Sequence, residues 1–190
     1  PQSTGFDLAA IAHLPTRAWT ERGISKETME RYEVKCSVDE STGLPDAFFY
    51  PYYDDDGTVT GYKKRTVPKG AFPWIGKGSG LFGKRQCKSN GQFCLLVEGE
   101  HDVQAAWEML SSLGKSYNVV SLPSGANIKQ DGTATITADM LRELPWLTKH
   151  KKVAICLDGD APGKAMARAI ADMIVAQCEV RIVTLPRKDA

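Results

Sequence analysis

Four acidic residues stand just beyond short apolar stretches of this 190-residue chain: Glu98 after Phe93–Val97, Asp158 and Asp160 after Val153–Leu157, and Asp189 shortly after Val180–Leu185. Short apolar runs bounded by turn residues read as buried strands, and open α/β sheets place their ligand sites at the carboxyl ends of such strands. Carboxylates gathered at one edge repel each other unless a cation lies between them, and hard oxygen donors suit Mg²⁺ or Mn²⁺. The set therefore reads as a metal site. Asp158 and Asp160 are two residues apart, so an extended backbone directs both side chains to one side. Each also has a plainer reading, Asp160 before Ala161-Pro162 as a helix cap and Asp158-Gly159 as a turn.

The elements that must position these residues follow from pattern. From Phe93 the chain alternates strand and helix: strands at 93–97, 118–122, 153–157 and 180–185, with helices at about 101–113, 137–144 and 162–176. Val103, Ala106, Trp107 and Leu110 share one face of the first helix, and Pro162 stands early in the last. Strands buried on both faces and alternating with helices predict a mainly parallel sheet flanked by helices. The first 92 residues read as a small α+β unit. Helices are predicted at Leu14–Arg22 and Ser25–Arg31, and strands at Tyr32–Val38, Ala47–Tyr53 and Val59–Val67, with Asp56-Gly57 as a hairpin turn. Alternation in the last of these puts Tyr62, Lys64 and Thr66 on one face and Lys63, Arg65 and Val67 on the other. Residues 69–92, rich in Gly, Pro and Lys, read as loop. The domain boundary thus falls between 92 and 93.

Composition narrows the class. The chain has 42% hydrophobic and 25% charged residues and a net charge of only +1, as in ordinary globular proteins. With no apolar run of 18 residues and no charged-then-apolar leader, neither a membrane span nor a secretory signal is supported, and a cytoplasmic location is expected. The chain starts at Pro1 and reads as a piece of a longer protein. Five cysteines without a C-x-x-C pair argue against a disulfide framework and a structural zinc site, and Cys156 reads as core. Charge is uneven. Between Gly61 and Asn90 there are eight basic residues (Lys63, Lys64, Arg65, Lys69, Lys77, Lys84, Arg85, Lys88) and no acidic one, just after the acidic turn Asp54–Asp56. This reads either as a surface facing a polyanion or as a solvated basic face. Gly78 to Lys84 has the spacing of a phosphate-binding P-loop, but Arg85 stands where Ser or Thr is needed. His13, His101 and His150 have no metal-ligand spacing.

Glu98-Gly99-x-x-Asp102 at one strand end, with Asp158-x-Asp160 at another about 60 residues on, resembles the Toprim domain. That family includes primases, topoisomerases, nucleases and recombination factors. The resemblance implies that Glu98 helps catalysis and that Asp158 and Asp160 bind Mg²⁺. Asp102 matches the later acidic position of the motif, with a first-turn helix residue as the equal alternative. Further segments narrow the likeness: Arg22–Thr28, Tyr62-Lys63-Lys64-Arg65, Leu81-Phe82-Gly83-Lys84, Ser121-Leu122, Gly125-Ala126, Leu157–Asp160 with Gly163, and Leu185–Ala190 occur in that order. Together they resemble the RNA-polymerase domain of the phage primase-helicases, whose mitochondrial relative is Twinkle.

What this resemblance implies is a DNA-dependent RNA primase using ribonucleoside triphosphates on single-stranded DNA to make an RNA primer. Two metal ions would be held by Glu98, Asp158, Asp160 and Asp189. Lys64, Arg65 and Lys84 would screen the triphosphate. Lys77, Lys164, Asp102 and the Ser124-Gly125-Ala126-Asn127 turn are candidate template or phosphate contacts, a solvated lysine and a plain turn being the bland alternatives. Trp74 is a candidate for base stacking, against packing in its loop. Zinc-binding and helicase domains of a full-length protein would lie outside this sequence, and the fragment is expected to be a monomer. The rival readings are a Toprim nuclease or topoisomerase fragment and a non-catalytic single-stranded DNA-binding module.

Overall fold

The computed structural model describes residues 7–70, 72–88 and 90–185. The chain divides into two compact units, Pro1–Ser79 and Gly80–Ala190. The unit boundary precedes the change of pattern at residue 93 because residues 81–88 serve the second unit's sheet.

In the first unit, α1 (Leu8–Ala12) and α2 (Lys26–Arg31) accompany an antiparallel sheet in the order β1 (Lys35–Val38), β2 (Pro45–Tyr53), β3 (Val59–Thr66), β4 (Trp74–Gly76). Ser25 caps α2 as its position predicts, its hydroxyl accepting the Thr28 amide at 3.1 Å. The turn between β2 and β3 places Gly57 at φ +83°, and the Asp54 carboxylate accepts the Thr58 amide at 2.8 Å. Residues 14–22 do not form the predicted helix; only Thr20–Arg22 makes a short 3-10 turn. Pro15 disfavours helical backbone at Leu14, and the segment spends its polar groups on the approach to β1. The Pro15 carbonyl accepts the Cys36 amide at 2.8 Å, and the Thr16 hydroxyl donates to the Val34 carbonyl at 2.9 Å. β4 lies inside the stretch read as loop. Three residues are too short for an alternating pattern, but Ile75 joins Ile11, Ala47, Phe49 and Tyr62 in one core.

The second unit is a parallel sheet in the order β6 (Asn118–Ser121), β5 (Phe93–Val97), β7 (Lys152–Cys156), β8 (Glu179–Ile182). Its helices are α3 (Glu100–Ser112), α4 (Ala138–Leu147) and α5 (Ala161–Ile174). Cys94, Leu96, Val120, Val153 and Ile155 of the sheet pack with Met140, Trp146 and Leu147 of α4 and Met166, Ile170 and Ile174 of α5. α4 runs on through Pro145, three residues beyond the predicted end. Burial of Trp146 and Leu147 offsets the hydrogen bond that proline cannot make. No helix among the described residues is long and apolar enough to cross a membrane.

Residues 82–88 run along the open edge of β6. The Ser121 amide donates to the Phe82 carbonyl at 3.1 Å, and the Asn118 side chain clamps Lys88, its Oδ1 accepting the Lys88 amide at 3.1 Å and its Nδ2 donating to the Lys88 carbonyl at 2.7 Å. Covering an edge strand in this way removes a template for unwanted strand pairing. With Oδ1 committed as acceptor, Asn118 Nδ2 also donates to His150 Nε2 at 2.7 Å. His150 Nδ1 therefore carries the hydrogen that meets the Leu147 carbonyl at 3.0 Å, and the ring is neutral. Burial pushes its pKa below the ordinary 6.5. The unfolded chain then binds the extra proton first, so stability from this network is complete above pH 6.5 and is lost as pH falls through the depressed native value. Unfolding free energy from urea titrations is expected to fall as pH drops below 6.5, with a shallower fall in His150→Gln; equal slopes in the two proteins would place the titration elsewhere.

Candidate active site

β5 lies between β6 and β7, so a side chain at its carboxyl end reaches the loops that follow both neighbours. Glu98 occupies that place. Its Oε1 accepts the Ala126 amide at 3.2 Å, and its Oε2 accepts the Asp158 amide at 3.1 Å. Asp158 follows β7, and Asp160 caps α5 by accepting the Gly163 amide at 2.9 Å. Asp160 thus takes the cap role that its position before Ala161-Pro162 allowed, and its charge still bears on Glu98. Burial raises the Glu98 pKa and the amide of Asp158 pulls it back; the negative charges of Asp158 and Asp160 raise it again, with the Ala126 amide opposing them.

These groups fit a hard divalent cation. They are carboxylates, and burial first, with the like charges of Asp158 and Asp160 adding to it, pushes Glu98 up, so a cation beside them would offset both. Among the described residues no three His, Cys, Asp or Glu side chains converge closely enough to enclose an ion. Mg²⁺ commonly takes only one or two carboxylates and completes its shell with water and substrate phosphates, which suits an open edge of this kind. Asp189 lies outside the described residues.

The remaining candidates are distributed unevenly. Ser124, Gly125 and Asn127 are exposed in the loop after β6, beside the amide that Glu98 binds, and Asn127 Nδ2 donates to the Gly125 carbonyl at 2.9 Å. Lys164 is exposed on α5. Asp102, third in α3, accepts the Gly99 amide at 2.8 Å through Oδ2, a bond that its first-turn reading allows. Lys84 is held by Glu143 of α4, Nζ to Oε2 2.7 Å, and lies 5.8 Å from the Trp146 ring. Nothing in the spacing of Lys84 and Glu143, 59 residues apart, announces that pair; only the fold of α4 does.

Lys64, Arg65, Lys77 and Trp74 belong to the first unit. Arg65 is 4% exposed, with its guanidinium 5.2 Å from the rings of both Trp19 and Phe72. It is a mortar for that aromatic layer. Lys64, one residue away and on the other face, lies over Phe49 at 5.7 Å, as the pairing of Phe49 with Lys64 requires. Lys77 is exposed. Trp74 is 39% exposed and meets Tyr52 edge-on at 4.7 Å.

The approach of α5 to Asp158 demands glycine at 163. A Cβ there would stand 2.2 Å from the Asp158 carbonyl oxygen. Alanine gains about 1 kcal/mol of helix propensity, but overpacking against backbone costs about 1–3 kcal/mol or more, so the clash wins. Gly163→Ala is expected to lower stability by roughly 2 kcal/mol and to displace Asp158; a stability at or above that of the unaltered protein, measured by urea unfolding, would show that the turn gives way freely.

Residues 95–190 match the Toprim-like family. Among solved structures, the chain is similar to the primase fragment of the bacteriophage T7 primase-helicase protein, with 27% identity and a TM-score of 0.74 over 93% of this chain and 68% of that one. It is similar also to a primase domain in the bacteriophage T7 lagging-strand DNA polymerase assembly with two gp4 subunits bound to an RNA/DNA hybrid and dTTP. There the identity is 25% and the TM-score 0.69, over 93% and 83% of the two chains. The DnaG primase catalytic domain bound to ssDNA shares the fold at 19% identity, TM-score 0.60, over 90% and 65%. No curated protein sequence matches significantly. With an acidic edge borne on a parallel β6-β5-β7-β8 sheet and a family match running from β5 to the last residue, the chain belongs to the Toprim-like family.

Proposed function

We propose that this chain is the polymerase domain of a DNA-dependent RNA primase, joining ribonucleotides into short primers on single-stranded DNA in the cytoplasm where that DNA is copied. The observation that carries the reading is Glu98 held between the loops after β6 and β7 with Asp158 and Asp160 beside it. The likeness to the T7 primase fragment at 27% identity over 93% of the chain supports it.

In the reaction, the 3′-hydroxyl of one nucleotide attacks the α-phosphate of the next, a P–O bond forms, and the bond to pyrophosphate breaks. Glu98, Asp158 and Asp160, with Asp189 as a further ligand, would hold Mg²⁺ or Mn²⁺, which would supply Lewis-acid activation and charge neutralisation. The protein's part is to place the oxygens. The amides of Ala126 and Asp158 fix the Glu98 carboxylate, and the cap to Gly163 fixes Asp160. Lys64 and Lys77 draw the polyanionic substrates, and Trp74 offers a base a ring face. Lys84 reaches a triphosphate only by leaving Glu143, and Arg65 serves by holding the sheet that carries Lys64.

The test is synthesis from labelled ribonucleotides on mixed-sequence single-stranded DNA with Mg²⁺ or Mn²⁺. Short metal-dependent products are expected, reduced about 100-fold or more in Asp158→Ala. Template cleavage without synthesis would make the protein a nuclease. Binding of DNA without product, unaffected by Asp158→Ala, would make it a binding module. Template affinity is expected to fall with salt, by about 2.8 in log K per decade for roughly four neutralised phosphates. Lys64→Ala should make that slope shallower by about 0.7; a slope unchanged by the substitution would remove Lys64 from the nucleic-acid face.

A further inference from the structure

Glu98 is fixed at its carboxylate, but its backbone must also be fixed, because the chain turns at Gly99 from β5 into α3. Two side chains of the first turn of α3 close over that glycine. Asp102 Oδ2 accepts the Gly99 amide at 2.8 Å, and Asp102 Oδ1 lies 3.1 Å from His101 Nε2. A Cβ on Gly99 would stand 2.9 Å from Asp102 Oδ2 and 3.1 Å from His101 Cε1, so the carboxylate and the imidazole both lie against the same glycine. The side chains of His101 and Asp102 are only 20% and 12% exposed. An aspartate two bonds long has several staggered positions, and the one adopted here points Oδ2 at Gly99 and Oδ1 at the imidazole. Groups that orient a site's carboxylates from behind commonly change activity by about 10–100-fold when removed.

We propose that His101 is a positioning residue for the Glu98 site, acting through Asp102 to hold the Glu98–Gly99 turn. It touches neither substrate nor metal in this role. Its effect on rate rests on the polymerase reading above, whereas its effect on the turn does not. His101→Leu removes the polar atom that meets Asp102; His101→Gln keeps a donor at similar reach.

The experiment pairs amide hydrogen exchange at Gly99, followed by NMR, with primer synthesis by the unaltered protein and both variants. In His101→Leu, exchange at Gly99 is expected to rise about 10-fold and kcat to fall about 10-fold with the nucleotide KM unchanged, since orientation rather than substrate binding is lost. His101→Gln is expected to stay within about 2-fold of the unaltered protein on both readouts. Exchange at Gly99 unchanged in His101→Leu, or equal in the two variants, would overturn the inference, as would a rate loss carried by KM. If the unaltered protein makes no product while Gly99 exchange follows the expected pattern, the polymerase reading fails and the role of His101 in the turn stands.

Discussion

A single carboxylate bridging two backbone amides organises the acidic edge of the parallel sheet. Glu98 is half-buried and faces the charges of Asp158 and Asp160, conditions under which a carboxyl group gives up its charge unless it is compensated. The Ala126 and Asp158 amides oppose that loss in part, each hydrogen bond to a charged group contributing about 1.5–3 kcal/mol. In return the bridge ties the loops after β6 and β7 to the strand between them. The same two bonds therefore favour the ionised form and fix the geometry of the groups around it.

That bridge is available only because of sheet order. Were β5 an edge strand, Glu98 would have one neighbouring loop to bind. The edge on the β6 side is in turn closed by residues 82–88, clamped through Asn118 and the neutral His150. On the β7 side, α5 comes close enough to Asp158 that only glycine fits at 163, and Asp160 satisfies the first turn of that helix. Negative charge at a helix N-terminus is favourable, which is one reason an aspartate so near two other carboxylates is tolerated at all.

The pattern of charge was readable as a pattern but not as a set of uses. Eight basic residues in Gly61–Asn90 look alike in sequence, yet Arg65 is buried between Trp19 and Phe72, Lys84 is paired with Glu143, and Lys77 is exposed. What separates them is which cross-strand or helical neighbour each meets. Strand alternation told Lys64 from Arg65 by face, but not that one face carried a layer of aromatic rings. Asp102 and Asp160 are similar cases: each could be a cap or a ligand by type and position, and each has one carboxylate oxygen on an amide at the start of its helix, a contact that the sequence offered only as one of two readings. His101 carried no spacing signal, since its partner is its own neighbour.

By itself the sequence determined the βα alternation, the parallel sheet and the strand ends where Glu98, Asp158 and Asp160 stand, because buried strands and amphipathic helices are local patterns written in side-chain polarity. It also carried the motif by which the family is known. It misplaced the first helix, overlooked β4 and ended α4 at Leu144, because each of those outcomes turns on a distant partner: the Pro15 carbonyl bound by Cys36, Ile75 packed against Tyr62, and Trp146 buried in the second core. Only the tertiary structure decided that one glutamate joins two loops 28 and 60 residues away. Hydrogen bonds between segments so far apart depend on strand order, and strand order is set by how the whole sheet buries its apolar faces rather than by any residue alone.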